Sequence, residues 1–263
     1  MGRVTTVCQQ EPKTDCWAVN AITDGYSSVF SAEIMCPIES NLQHVRREID
    51  AAIAGLPEAI RRPVTLVAVS KTRPAADIRE AFRAGQRAFG ENYAQEGVGK
   101  MGELGDLRSE GAQWHFIGPL QSNKATQVAR HFDWVHGLDR LKIAEALSRN
   151  RLANPINVCI QVNASGEASK GGLAPQQVLE FATALARLPG LRIRGLMTII
   201  ENTDDPALQR VQFRLVRAHF EELQRNGFAV DTLSMGMSQD FRQAIDEGAT
   251  MVRIGSAIFG ART

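Results

Sequence analysis

Lys71 closes the apolar, β-branched run Thr65-Leu-Val-Ala-Val-Ser-Lys71, which puts an amine at the inner end of a strand. Desolvation there disfavours the charged ammonium, and a neutral amine attacks aldehydes, so Lys71 is a candidate Schiff-base former. A solvated lysine at a strand-to-loop junction is the plainer alternative. A second constellation has the makings of an anion cup: Ser234-Met-Gly-Met-Ser238 and Gly255-Ser-Ala-Ile-Phe-Gly260. Glycines let backbone N–H groups approach an anion, Ser238 and Ser256 add hydroxyl donors, and each run leads into a helical segment. Either run alone also reads as an ordinary helix cap. Two of them together, at the last two strands of the pattern described below, favour phosphate. Arg253 precedes the second run by two residues and offers either a fixed cation for a heterocycle nitrogen or a salt bridge to a neighbouring carboxylate.

Other polar residues fall at strand ends as well. They are Asn92 after Glu91, His115, His136, Asn163 with Ser165 and Lys170 in a Gly-rich loop, and Met197-Thr198. The histidines are candidate general bases or packed, hydrogen-bonded core residues; the asparagines orient a ligand or satisfy turn backbone. Lys170 gates the site or is simply solvated. An aldehyde-reactive lysine paired with a phosphate cup points to a phosphorylated aldehyde. Pyridoxal 5′-phosphate fits both ends, and so does the substrate of a sugar-phosphate aldolase.

The elements that must position these residues are regular from Ser40 onward. Leu42, Val45, Ile49, Ala52 and Ile53 form a helical stripe with Ser40 as N-cap. Strands are expected at about 64–70, 87–89, 113–117, 134–136, 156–162, 191–198, 232–234 and 250–254. Nearly every one is followed by a helical signal. Asp139 is read as capping one of these helices and Pro175 as opening another. Such alternation implies a parallel sheet, and eight units in about 225 residues match a single closed (β/α)8 TIM barrel, usually about 250 residues. An open doubly wound sheet is the alternative. Residues 1–38 lack periodicity and are read as a poorly ordered extension, leaving 39–263 as one domain. Net charge is +1, so no bulk field attracts nucleic acid. No apolar run approaches the roughly 18 residues of a membrane span, and no secretory leader is evident. Cys8, Cys16, Cys36 and Cys159 fit no zinc pattern and suit a reducing cytoplasm.

Six segments carry a resemblance. They are Ala68-Val-Ser-Lys-Thr72, Phe89-Gly-Glu-Asn-Tyr93, Trp114-His-Phe-Ile-Gly-Pro-Leu-Gln-Ser-Asn-Lys124, Gly195-Leu-Met-Thr198, Ser234-Met-Gly-Met-Ser238 and Val252-Arg-Ile-Gly-Ser-Ala-Ile-Phe-Gly-Ala-Arg262. In order, and from about residue 40 to 262, they closely resemble the pyridoxal phosphate homeostasis protein family. The resemblance implies the barrel of the alanine racemase N-terminal domain, with Lys71 holding pyridoxal phosphate as an internal aldimine. It implies Ser238, Gly255 and Ser256 at the phosphate, Arg253 at the pyridine nitrogen and Asn92 near the ring. Ser234 belongs to the same cofactor-binding set, and Lys170 and Met197 are accessory candidates. The family is known for carrying and regulating the free cofactor pool, with apo-enzymes as transient partners, so a non-catalytic cytoplasmic carrier is expected. A weak racemase or lyase is the alternative. Arg253 stays protonated and so disfavours a protonated ring nitrogen, which makes the ring a poorer electron sink. Racemases of this fold add a tyrosine base from a second domain and a partner subunit. This chain ends at Thr263 and holds only Tyr26 and Tyr93, so neither that base nor the usual dimer is expected, and the chain is read as a monomer.

Overall fold

Alternate residues of each strand belong to two different apolar environments. In Met251–Ile254, Met251 packs with Val67, Trp134, Cys159 and Met197 inside the barrel, whereas Val252 and Ile254 join the larger core between strands and helices. The same split separates Val67 from Leu66 and Ala68. Period-two side-chain alternation on a sheet buried on both faces produces this arrangement, and explains why the strands read as continuous apolar runs. The computed structural model describes residues 37–167 and 170–261. The extension expected over 1–38, with Cys8, Cys16, Cys36 and Tyr26, lies outside them except for its last two residues.

The strands are β1 Thr65–Val69, β2 Ala88–Glu91, β3 Gln113–Phe116, β4 Trp134–Leu138, β5 Ile156–Gln161, β6 Leu191–Met197, β7 Thr232–Ser234 and β8 Met251–Ile254. Each pairs in parallel with the next and β8 pairs with β1, closing the barrel. The helices are α1 Pro37–Ala54, α2 Ala75–Arg83, α3 Ala94–Glu103, α4 Gly105–Ser109, α5 Ala125–His131, α6 Leu141–Arg149, α7 Val178–Leu185, α8 Pro206–Arg225, α9 Phe241–Asp246 and α10 Ser256–Phe259. The fold is thus a single closed (β/α)8 TIM barrel.

Helix α1 precedes the first strand and packs against α2, α9 and α10 through Leu42, Val45 and Ile49. Each of these, fully buried, contributes about 1.5–3 kcal/mol. Asn41 Nδ2 donates to the Ile258 carbonyl at 3.0 Å, fixing α1 to the last helix beside the mouth.

Several local readings change. Ser40 lies within α1 and does not cap it. Asp139 does not cap α6; its carboxylate accepts from Gly172 N at 3.3 Å and so reaches the loop after β5. Pro175 opens a 3-10 turn, Pro175–Gln177, that precedes α7. Asp205 does cap α8, accepting from Ala207 N at 2.9 Å. Gly195 is required by the barrel. Its φ is +151°, and a Cβ there would lie 1.9 Å from the Thr232 carbonyl oxygen on β7. The β5–β6 register shifts beside it, between Val158 and Cys159.

Candidate functional site

Lys71 stands two residues past the end of β1 and is half-buried at the C-terminal mouth of the barrel. It lines a cavity of about 160 Å³ together with Arg73, Ser238, Arg253, Gly255 and Ser256. Barrel closure makes this possible. Because β8 pairs with β1, the Gly255-Ser256 turn passes Lys71 at the adjacent strand end. A Cβ on Gly255 would lie 3.1 Å from the Val69 carbonyl oxygen, so the two strand ends run close together. Gly236 holds the other loop in a left-handed conformation, φ +97°, and a Cβ there would lie 2.7 Å from Ala244 Cβ. That conformation brings Ser238 Oγ to 3.5 Å from Ser256 Oγ. The loop is held further by Asp240, whose carboxylate accepts from Met237 N. Burial raises the Asp240 pKa. Arg73 donates to the carbonyls of Gly260 at 2.6 Å and Ala261 at 2.7 Å, tying the C-terminal segment to the loop that bears Lys71.

Arg253 is 4% exposed. Its Nη1 donates to Ser234 O and Ser234 Oγ, both at 2.7 Å, and its Nη2 to Thr198 O at 2.9 Å. Burial pulls its pKa down to about 10, so it remains a cation at neutral pH. No carboxylate forms a salt bridge with it among the described residues; backbone and hydroxyl oxygens hold it instead. Ser234 is buried beneath Arg253 and does not line the cavity.

Below Ser234 a polar chain continues into the barrel. His136 shares a 2.8 Å hydrogen bond with Ser234 Oγ and a 2.9 Å hydrogen bond with His115. His115 stacks on Trp134, with ring centroids 5.4 Å apart. Burial pushes His115 to about 3 and His136 well below its ordinary value, so both are neutral. Neither lines the cavity at Lys71 or the one beside it, and this removes them as general bases at the mouth.

The remaining expected residues surround this centre without joining it. Lys170 lines an adjoining cavity of about 340 Å³ that shares Met237, Ser238 and Ser256 with the first. Its Nζ donates to Ile200 O at 3.4 Å. Met197 ends β6 inside the barrel and lines neither cavity. Asn92 is half-buried after β2, and a Cβ on Gly118 would lie 2.2 Å from its carbonyl oxygen. Asn163 serves its own turn, with Nδ2 donating to Glu167 O at 2.9 Å.

Sequence reasoning missed a buried ion cluster behind Lys71. Lys100 Nζ donates to Glu91 at 2.9 Å, Glu96 at 2.6 Å and the Ser70 carbonyl at 2.7 Å. Ser70 Oγ donates to Glu91 Oε1 at 2.6 Å. Burial raises the Glu91 pKa, against the pull of Lys100 and Ser70. The available signal was the i,i+4 spacing of Glu96 and Lys100, which is common on solvated helices and gave no reason to expect burial. Arg73 was missed for a similar reason, since its partners lie at the far end of the chain. Among the described residues no cluster of His, Cys, Asp or Glu could hold a metal ion, and no helix is long and apolar enough to cross a membrane.

A lysine, an arginine and two serine–glycine loops around one barrel mouth define a class of protein that comparison makes specific. The alanine racemase N-terminal domain family matches residues 41–263. The pyridoxal phosphate homeostasis protein of Pseudomonas aeruginosa is 53% identical over 232 residues, spanning 87% of this chain and 97% of that protein. PipY of Synechococcus elongatus, solved with PLP bound, is 39% identical with a TM-score of 0.73, covering 85% of this chain and all of PipY. Alanine racemase of Corynebacterium glutamicum shares the fold, with a TM-score of 0.63 at 20% identity over 86% of this chain and 61% of its own. The chain belongs to the pyridoxal phosphate homeostasis protein family, within the alanine racemase N-terminal-domain barrels.

Proposed function

We propose that this chain binds pyridoxal 5′-phosphate at the barrel mouth, joined to Lys71 as a Schiff base, and serves the intracellular homeostasis of that cofactor. The convergence of Lys71, Arg253, Ser238, Gly255 and Ser256 on a single cavity carries this reading. The donor set suits the ligand: an amine for the aldehyde, hydroxyls and turn N–H groups for the phosphate, and a buried cation for the ring nitrogen. When bound, the cofactor supplies an electrophilic aldehyde and a conjugated ring. Arg253 would face the ring nitrogen as a hydrogen-bond donor, and Ser234 and Thr198 hold its guanidinium in place. Lys170 would meet ligands entering from the adjoining cavity that it lines, whereas Asn92 lines neither cavity. The family's name and the solved PipY complex support both the cofactor and the homeostatic role.

The reading extends to a cytoplasmic monomer that holds the cofactor and releases it to apo-enzymes, without catalysing turnover. The fold shared with alanine racemase makes weak racemase or lyase activity the competing reading. Against it, the histidines are neutral and buried away from the mouth, and Arg253, a cation at neutral pH, would disfavour a protonated ring nitrogen.

Titration of purified protein with pyridoxal phosphate should produce an absorption band typical of an imine, and Lys71→Ala should lack it. A wild-type protein that never acquires the band overturns the proposal and favours an aldolase-like site. Amino acids incubated with the loaded protein in D2O should retain their Cα protons; exchange at enzyme-like rates overturns the non-catalytic part.

A further inference from the structure

Lys71 sits in a turn whose conformation its own sequence does not favour. Arg73 N donates to Ser70 O at 3.0 Å, closing a four-residue turn over Ser70-Lys71-Thr72-Arg73. Thr72, the third residue, has φ +64° and is the only non-glycine with positive φ among the described residues. A turn of this shape ordinarily takes glycine at the third position, because a β-branched residue there is sterically strained. Both flanks of Lys71 are fastened to the ion cluster behind it. Thr72 N donates to Glu96 Oε1. The Ser70 carbonyl accepts from Lys100 Nζ at 2.7 Å, and Lys100 in turn holds Glu96 at 2.6 Å. Lys100 is 7% exposed and Glu96 partly buried, so the pair behind the turn is not fully solvated, although the Thr72–Glu96 hydrogen bond itself lies at the surface.

We propose that Glu96 and Lys100 are positioning residues for Lys71: together they hold the strained Thr72 turn that presents the lysine to the cavity. The inference rests on the reading of Lys71 as the cofactor-bearing residue. Without the Thr72–Glu96 hydrogen bond, Thr72 relaxes towards a negative φ. Its peptide planes rotate, and Lys71 leaves the cavity for part of the time. The strain of a left-handed L-residue sets the scale, about 1–2 kcal/mol, or about tenfold in the population of the competent turn. Glycine at position 72 removes the strain and with it the need for the anchor.

The test joins two readouts, the absorption band on cofactor titration and hydrogen exchange of the Thr72 amide in cofactor-free protein. In the wild-type protein that amide should exchange slowly although Thr72 is exposed. Glu96→Ala should speed its exchange and weaken cofactor binding about tenfold. Glu96→Gln, which keeps an acceptor oxygen, should stay close to wild type in both. The double variant Thr72→Gly/Glu96→Ala should recover wild-type binding, which a merely structural loss at Glu96 would not allow. Unchanged binding in Glu96→Ala, failure of the glycine to restore it, or a fast-exchanging Thr72 amide in the wild type each overturn the proposal. The two readings fail separately. A wild-type protein without the band sinks the role of Lys71, while exchange at Thr72 still judges the anchor.

Discussion

Replacing Arg253 with methionine should separate the stability of the barrel from its hold on the cofactor. Burial lowers the arginine pKa from its ordinary value to about 10. Carrying that charge in the folded state therefore costs about 3 kcal/mol at neutral pH, a cost that methionine removes. Against this, Thr198 O loses the donor it has at 2.9 Å, and a buried carbonyl left unpaired costs about 1–3 kcal/mol. Ser234 O retains Thr198 N at 3.2 Å, and Ser234 Oγ retains His136 at 2.8 Å, so neither atom is orphaned. The terms nearly cancel, as they commonly do when a buried charge gives way to an apolar side chain. The cofactor-free variant should therefore melt within about 6 °C of wild type. Cofactor affinity should fall about ten- to a hundredfold, matching the roughly 1.5–3 kcal/mol of a charge-assisted hydrogen bond. Thermal unfolding and spectrophotometric titration on the same preparation measure both. Affinity equal to wild type would refute the placement of Arg253 at the ring, and collapse of the fold would refute the balance of terms.

Stability should decline on mild acidification because of the buried histidines. His115 titrates at about 3 when folded and near 6.5 when unfolded, so the unfolded chain binds the extra proton between those values. Its contribution is complete above pH 6.5 and falls as pH drops towards 3; at pH 5 it has lost about 2 kcal/mol, with His136 acting in the same direction. Denaturant melts between pH 7 and pH 5 measure this, and His115→Phe should flatten the dependence. Gly236→Ala should both destabilise the fold and weaken phosphate binding, since a left-handed backbone costs about 1–2 kcal/mol for alanine and its Cβ would lie 2.7 Å from Ala244. Inorganic phosphate should protect the wild type against heat and protect this variant much less.

The amino-acid sequence by itself determined the barrel and most of its mouth. Apolar strands alternating with helical stripes have few packing solutions, and strand ends place whatever follows them at one rim. Lys71, Ser238, Gly255 and Ser256 were legible because each follows a strand, and Arg253 because it lies near the end of β8; glycine marks backbone where side chains do not fit. Sequence could not show which polar residues point inward and which support from behind, because that depends on partners distant along the chain. Ser234 has the composition of a ligand contact yet lies beneath Arg253. His115 and His136 look like bases, but burial makes them a neutral pair. Asp139 looks like a cap and instead holds the loop after β5. Glu96 and Lys100 look like a solvated helix pair, and closure of the barrel sets them behind the turn of Lys71. The sequence decided which groups reach the rim. Packing across β1, β8 and α3 decided which of them meet, because hydrogen bonds and desolvation act over a few ångströms of space and are indifferent to separation along the chain.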